Sequence, residues 1–295
     1  MTELYPLSRL QHNFGRTLGT MANSRAVHNE VARRLTDRLA DMKRPFPLVL
    51  DLGSGAGSFA PHMAEVGLTP DSLIHTDIIP ALLTGRSAVG LSAESPLPFA
   101  NGTFDLIISN LMLHWVNNVP QALMHIGRAL KPDGLFLAST LGNNSFTEFK
   151  TAFDTIGSHH AHVIPLTDVQ SAGAALQKVG FAMPVVDRDV ITVTYPDFTA
   201  LYEDIKNTGS RNLHPNRARG LMTPRTLKAM ETVYTDMFAL PDGKLPVTLE
   251  VLYLHGWRPH SSQQKPLKPG TATVDLSEVL KSLPSRRLQE EDSNT

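Results

Sequence analysis

Val27, Val31, Leu35 and Leu39 recur at four-residue spacing in a polar stretch, which predicts an amphipathic helix over residues 25–43. Pro45 and Pro47 end it. The pattern then changes to short, continuous apolar runs at 48–52, 72–76, 89–91, 104–110 and 135–140. Runs without alternation are expected of strands buried on both faces. Between them, residues 59–66, 80–86 and 120–130 are each long enough for a helix. Strands alternating with helices predict a parallel sheet covered on both sides.

After Gly142 the order shifts. Helical patterns over 145–156 and 166–179, the second stopped by Gly180, precede two longer strand patterns at 184–195 and 248–258. About 50 residues, 197–246, separate those strands. They hold two helical patterns, 198–206 and 224–238, around a polar loop at 207–220. A structureless loop of that length is rare in a compact domain, so this insertion is read as a helical lid. Residues 259–272 carry three prolines and no periodicity and read as an extended arm. The polar 284–295 stretch is expected to be disordered. No internal repeat is visible.

Composition narrows the function classes. The 295 residues are 41% hydrophobic, enough for a substantial core. No apolar run reaches the ~18 residues of a membrane span. There are 27 Lys and Arg against 28 Asp and Glu, a net charge of −1, which argues against a general nucleic-acid binder. The absence of cysteine excludes disulfides, thiol catalysis and Cys-ligated metal centres. The N-terminal stretch lacks the apolar core of a signal peptide. It is also free of acids between Leu4 and Asn29 while carrying Arg9, Arg16 and Arg25. The expected location is cytoplasmic.

The chemistry-bearing signal is Asp51-Leu52-Gly53-Ser54-Gly55-Ala56-Gly57, between a strand and a helix. Its glycines let the chain turn tightly and approach a ligand. Their spacing by two differs from the dinucleotide pattern G-x-G-x-x-G. Asp77, followed by Ile78, closes the second strand 20 residues after Gly57, where a carboxylate can accept both hydroxyls of a ribose. A glycine turn alone is often only a tight connection; the ribose-spaced acid makes a nucleoside-containing cofactor the better reading. No G-x-x-x-x-G-K-[ST] phosphate loop is present.

Further segments complete a set: Ser92-Ala93-Glu94-Ser95-Pro96, Phe104-Asp105, Asn110-Leu111, His114-Trp115 and Leu130-Lys131-Pro132-Asp133-Gly134. As an ordered series with Asp51 and Asp77, they resemble class I S-adenosylmethionine-dependent methyltransferases. The resemblance implies an α/β, doubly wound, Rossmann-like sheet of seven mostly parallel strands. It implies that Asp51, Gly53, Ser54, Gly55 and Gly57 surround the amino acid part of S-adenosyl-L-methionine. Asp77 and Ile78 would flank the ribose, Ser92, Ala93 and Glu94 the adenine, and Asn110 and Leu111 the cofactor floor. Ser92 stands where members commonly carry Asp, which weakens the grip on adenine.

A narrower resemblance spans about residues 30–280. Ile205–Asn212 and Val251–Trp257 are similar to malonyl-acyl-carrier-protein O-methyltransferases. The arm from Arg258 through Val274 is similar to the branch containing a mitochondrial respiratory complex I assembly factor associated with arginine hydroxylation. The implied organisation is an arm over 1–24, a methyltransferase domain over 25–258 with its lid at 197–246, an arm at 259–283 and a tail at 284–295. A eukaryotic source would imply the mitochondrial matrix.

Single residues carry weaker signals. His114 and Trp115 fall where substrate meets cofactor in such folds, and read as a pocket wall or as packed core. Arg211 can grip a carboxylate bidentately, with Asn212 beside it, although an isolated Arg is ordinarily solvated. Lys206, Arg217, Arg219 and Arg225 form a basic cluster suited to an acidic partner surface or simply to solvent. His159, His160 and His162 have no carboxylate at ligand spacing, so no metal is expected. Tyr195, Tyr202 and Tyr253 read as core or pocket lining.

The expected activity is methyl transfer from S-adenosyl-L-methionine to a carboxylate of a small or carrier-protein-bound substrate. A carboxylate needs no general base, which agrees with the lack of an evident acid–base pair. The alternative is an assembly factor acting on an arginine of a complex I subunit. A cofactor-binding sensor without catalysis rests on Ser92 alone.

Overall fold

The structure is a computed structural model that describes residues 4–20, 25–40, 42–83, 87–158, 160–209, 212–214, 216–218 and 222–263. Residues 1–260 form one compact unit and 261–295 another. The expected arm and tail beyond residue 263 lie outside the described residues.

The apolar runs become strands β1 (Leu48–Leu52), β2 (Ser72–Asp77), β3 (Ala88–Gly90), β4 (Phe104–Ser109), β5 (Leu130–Leu141), β6 (Ala182–Tyr195) and β7 (Leu245–Trp257). They form one sheet in the order β3-β2-β1-β4-β5-β7-β6. Strands β1 to β5 run parallel, whereas β7 is antiparallel to both β5 and β6. The sheet is therefore the expected seven-stranded, mostly parallel one. Every residue of β4 is buried, as covering by helices on both faces requires.

The helices are α1 (Leu7–Gly15), α2 (Ala26–Ala40), α3 (Phe59–Glu65), α4 (Val119–Ala129), α5 (Thr147–Thr155), α6 (Val169–Val179), α7 (Phe198–Asn207) and α8 (Pro224–Phe238). On one sheet face, Val31, Leu35 and Leu39 of α2 pack with Phe59 and Met63 of α3 over Val49, Leu106 and Leu137. On the other, Leu123 and Ile126 of α4 pack with Leu176 of α6 over Leu50, Ile107 and Phe136.

Two motif pieces hold the base of the sheet. The Asp105 carboxylate accepts the Leu48 N–H at 3.0 Å and both its oxygens lie 2.9 Å from Lys131 Nζ. Asp133, at φ 61°, takes Arg44 at 2.9 Å. These contacts sit at the starts of β1, β4 and β5, away from the carboxyl ends where ligands bind in such sheets.

Three expectations shift. The run read as a helix at 80–86 is a 3₁₀ turn over Pro80–Leu83, and 84–86 lie outside the described residues. Strand β5 begins at Leu130 because Leu130 already pairs with Phe104, and Lys131–Gly134 bulge within it. The helix read as starting at 166 begins at Val169, where Asp168 caps the Ser171 N–H at 2.8 Å.

The N-terminal stretch read as an arm contains α1. Tyr5 and Leu10 are buried with Leu213, against Phe14, Ile78, Trp115 and Ile164. The inserted helices are also more firmly built than a detached lid. Residues 245–250 of β7 run past β5 and pair with β6 alone. On this overhang Leu245, Val247 and Leu249 pack with Phe153 of α5, Phe198 and Leu201 of α7, and Met230 and Tyr234 of α8. Asp197 caps α7 and Thr223 caps α8, with Pro224 opening the latter. Edge strand β6 tolerates Pro184 because an edge residue can forgo one ladder bond.

Leu106 is fully buried at the centre of β4. Leu106→Ala is expected to cost ~2–5 kcal/mol, read as a lowered urea midpoint at unchanged m-value.

Candidate active site

The site starts at the carboxyl ends of β1 and β2. Gly53, Gly55 and Gly57 take φ of 70°, 51° and 81°, which a side chain would oppose. A Cβ on Gly53 would also lie 2.5 Å from Met112 Cγ. The turn is pinned by the Ser54 N–H donating to Thr76 O at 2.8 Å. Asp77 then accepts the Gly55 N–H at 2.9 Å and the Ile79 N–H at 2.8 Å. Burial raises the pKa of Asp77, and the backbone donors from Ile79 and Gly55 pull it back.

Asp51 sits beneath this turn. It is fully buried, with one carboxylate oxygen 3.1 Å from His75 Nδ1. It braces the two strand ends and does not line the cavity above, and neither does Gly57. The other residues expected around the cofactor do line it: Gly53, Ser54 and Gly55, then Asp77 and Ile78, then Ser92, Ala93 and Glu94, then Asn110 and Leu111.

This cavity encloses about 760 Å³ and continues from the glycine turn to the inserted helices. Its first end suits a nucleoside cofactor with a polar tail. The Ser54 hydroxyl is buried without a hydrogen-bond partner, and the space beside Gly55 is open for 4 Å where a Cβ would stand. The Asp77 carboxylate faces the same void. Ser92 accepts the Glu94 N–H at 3.3 Å. The Glu94 carboxylate takes the backbone and side-chain N–H groups of Asn117. Asn117 in turn exchanges hydrogen bonds with the backbone of Tyr5, at 2.7 and 3.1 Å. Gln11 of α1 donates to Ile78 O at 3.1 Å. Helix α1 is thereby fastened over the end that Asp77 and Glu94 define.

Trp115 carries α1 onward. It meets Tyr5 and Phe14 edge-on, with ring centroids 5.8 and 5.5 Å away. His114, next to it, has a buried Nδ1 without a partner. Burial, then the nearby His28, holds its pKa down at about 3. Burial and then Arg25 lower the pKa of His28, which Asp204 partly offsets. Asn110 fixes this corner, donating to His28 O at 2.9 Å and accepting from Ser139 Oγ at 2.8 Å.

The far end is aromatic. Phe146, Phe149, Phe153, Tyr195, Phe198 and Tyr202 line it. Tyr195 donates to Asp204 at 2.6 Å, and burial followed by that bond raises the Tyr195 pKa. Tyr253 lies elsewhere, buried in the core beneath the Arg38 guanidinium at 3.7 Å.

Asn212 reaches the cavity, but its side chain is occupied, donating to Ala161 O at 2.6 Å and accepting the His214 N–H at 2.8 Å. Arg211, Arg219 and His159 lie outside the described residues. His162 stacks on Phe153 with centroids 3.5 Å apart and contacts Ser158. Among the described residues, no three His, Asp or Glu side chains are grouped to hold a metal ion.

Sequence reasoning missed α1, Arg25, His28 and Asp204. The spacing of Leu7, Leu10 and Phe14 signals α1. Arg25, His28 and Asp204 meet only through tertiary packing and carry no local signal.

A strand-end glycine turn, an acid closing the next strand, and the 3-2-1-4-5-7-6 sheet with one antiparallel strand define a class. The chain belongs to the methyltransferase domain family, whose model matches residues 24–184, and so to the class I S-adenosylmethionine-dependent methyltransferases. Its similarity to curated proteins runs well beyond the matched domain. It is 34% identical to the mitochondrial arginine-hydroxylase NDUFAF5 of Danio rerio, over 93% of this chain and 88% of the relative. It is 32% identical to the malonyl-[acyl-carrier protein] O-methyltransferase of Laribacter hongkongensis, over 94% of this chain and 98% of the relative. The crystal structure of the YcgJ protein from Bacillus subtilis shares the fold. It has a TM-score of 0.54 at 18% identity and covers 78% of this chain and 98% of that one.

His114 makes this corner acid-sensitive. Its folded pKa of about 3 lies below the usual 6.5. Between those values the unfolded chain takes up a proton that the folded chain refuses, so stability falls as pH drops through that window. His114→Asn is expected to show a shallower decline in Tm from pH 6 to pH 4 than the wild type, checked by scanning calorimetry.

Proposed function

We propose that the protein binds S-adenosyl-L-methionine at the Asp77 end of the cavity and methylates a carboxylate of a small or carrier-protein-bound substrate at the aromatic end. When bound, the cofactor supplies a methyl group already activated on a sulfonium. Asp77 would accept the ribose hydroxyls, and Ser54 with the open backbone at Gly55 would receive the amino acid part. Ser92, Ala93 and Glu94 would flank the adenine beneath α1. His114, Trp115 and Asn212 would border the acceptor. Arg211 stays a proposed carboxylate contact on its sequence position.

The carrying observation is the state of the groups at the acceptor end. A His114 pKa of about 3 makes it a poor proton acceptor near neutrality. Tyr195 is held protonated on Asp204. Such a wall suits an acceptor that is already anionic. For a carboxylate, one S–C bond breaks, one O–C bond forms, and no proton has to leave. The chain's own task is then to hold the two groups in line and keep water out.

A second reading has its own support. Similarity to the Danio rerio NDUFAF5 covers 93% of the chain at 34% identity, and the 258–274 segment is similar to that branch. In this reading the protein acts on an arginine of a partner, a respiratory complex I subunit, in the cytoplasm of a bacterium or in the matrix of a eukaryotic source. No helix of the described residues is long and apolar enough to cross a membrane.

Calorimetric titration with S-adenosyl-L-methionine is expected to give micromolar binding, reduced at least ~100-fold in Asp77→Ala through loss of charge-assisted hydrogen bonds. Equal binding by both proteins overturns the cofactor site. Label from the methyl group is then expected in a base-labile ester on malonyl carriers. No label there, with an arginine of a complex I subunit gaining one oxygen atom in cells that express the protein, would favour the second reading.

A further inference from the structure

Most arginines near the start of the domain have carboxylate partners. Arg33 and Arg34 meet Glu30, Arg34 also meets Asp189, Arg38 lies 3.5 Å from Asp187, and Arg44 holds Asp133. Arg25, one residue before α2, differs. Its backbone is fixed, since its carbonyl accepts the Asn29 N–H at 2.9 Å. Its side chain lines the cavity and is half-buried, with Nε fully enclosed and without a hydrogen-bond partner. No carboxylate of the described residues stands within salt-bridge distance of it.

The nearby acid is not paired with this charge directly. Asp204, the acid felt at the neighbouring His28, already takes the Tyr195 hydroxyl at 2.6 Å. His28 and His114 are held neutral by burial. Lys206 also lines the cavity, but it is exposed and water can screen it. A half-buried guanidinium with an enclosed, unpartnered Nε and no carboxylate beside it can take an anion from the cavity. Its planar fork matches a carboxylate better than a point charge would.

We propose that Arg25 is the carboxylate anchor of the cavity. The ligand chemistry is one carboxylate with two possible sources: the amino acid end of the cofactor or the acceptor itself. The inference rests on the methyl-transfer reading for those two identities, but not for the existence of the anion site.

The test is calorimetry on the full chain, as wild type, Arg25→Gln and Arg25→Lys, with three probes. S-adenosylhomocysteine carries the carboxylate, 5′-methylthioadenosine is a matching nucleoside without it, and malonate is the acceptor-type carboxylate alone. Arg25→Gln is expected to weaken S-adenosylhomocysteine or malonate by about 10- to 100-fold, the loss of a charge-assisted pair. It is expected to leave 5′-methylthioadenosine unchanged, with Arg25→Lys recovering part of the loss. The probe that weakens names the source. Unchanged binding of all probes overturns the anchor, as does a wild type that binds neither carboxylate. Loss of 5′-methylthioadenosine binding as well, with a lowered Tm, also overturns it by making Arg25 structural. A wild type that binds malonate through Arg25 yet ignores both nucleosides leaves the anchor standing and defeats the methyl-transfer reading.

Discussion

The site depends on one buried carboxylate held by two backbone N–H groups. Asp77 ends β2, and its oxygens capture Gly55 from the glycine turn and Ile79 from its own loop. Each donor compensates part of what burying the charge costs. Gly55 presents its N–H from a left-handed backbone, which glycine adopts without strain, and leaves open room beside it. Beneath, Asp51 and His75 tie the same two strand ends. The turn is thus set from below and from the side, and its open face is left for a ligand.

The sheet was legible in the sequence because parallel strands covered on both faces leave continuous apolar runs, and β1, β2 and β4 were read almost to the residue. The glycine turn and Asp77 were legible because they lie close together along the chain. Asp51 and Gly57 were expected around the cofactor, and they do not line the cavity. Sequence spacing tells which turn a residue belongs to but not which side of the backbone its side chain leaves from. Helix α1 was read as an arm although Leu7, Leu10 and Phe14 carry the right period. Its partners, Asn117, Trp115 and Leu213, are more than 100 residues away. Arg25, His28 and Asp204 were illegible for the same reason, since their meeting belongs to the fold and to no local pattern.

The inserted helices differ from a flap on a hinge. The β6–β7 ladder outruns β5, and that excess length gives α7 and α8 an apolar floor of Leu245, Val247 and Leu249. Tyr234 locks the floor by donating to Pro246 O at 2.7 Å. The aromatic chamber is therefore walled by a packed core, and its width is set by side chains with little freedom to adjust. Selectivity at that end would come from shape. At the opposite end it would come from hydrogen bonds to Asp77 and the turn.

The roof over the cavity has an optical consequence. The chain has two tryptophans. Trp257 ends β7 with the Arg44 guanidinium 5.3 Å from its ring, fixed in the sheet. Trp115 is wedged between Tyr5 and Phe14 of the roof and lines the cavity. Of the two indoles, Trp115 is the one against the roof, so a change in the roof would reach the intrinsic fluorescence of the unlabelled protein through it.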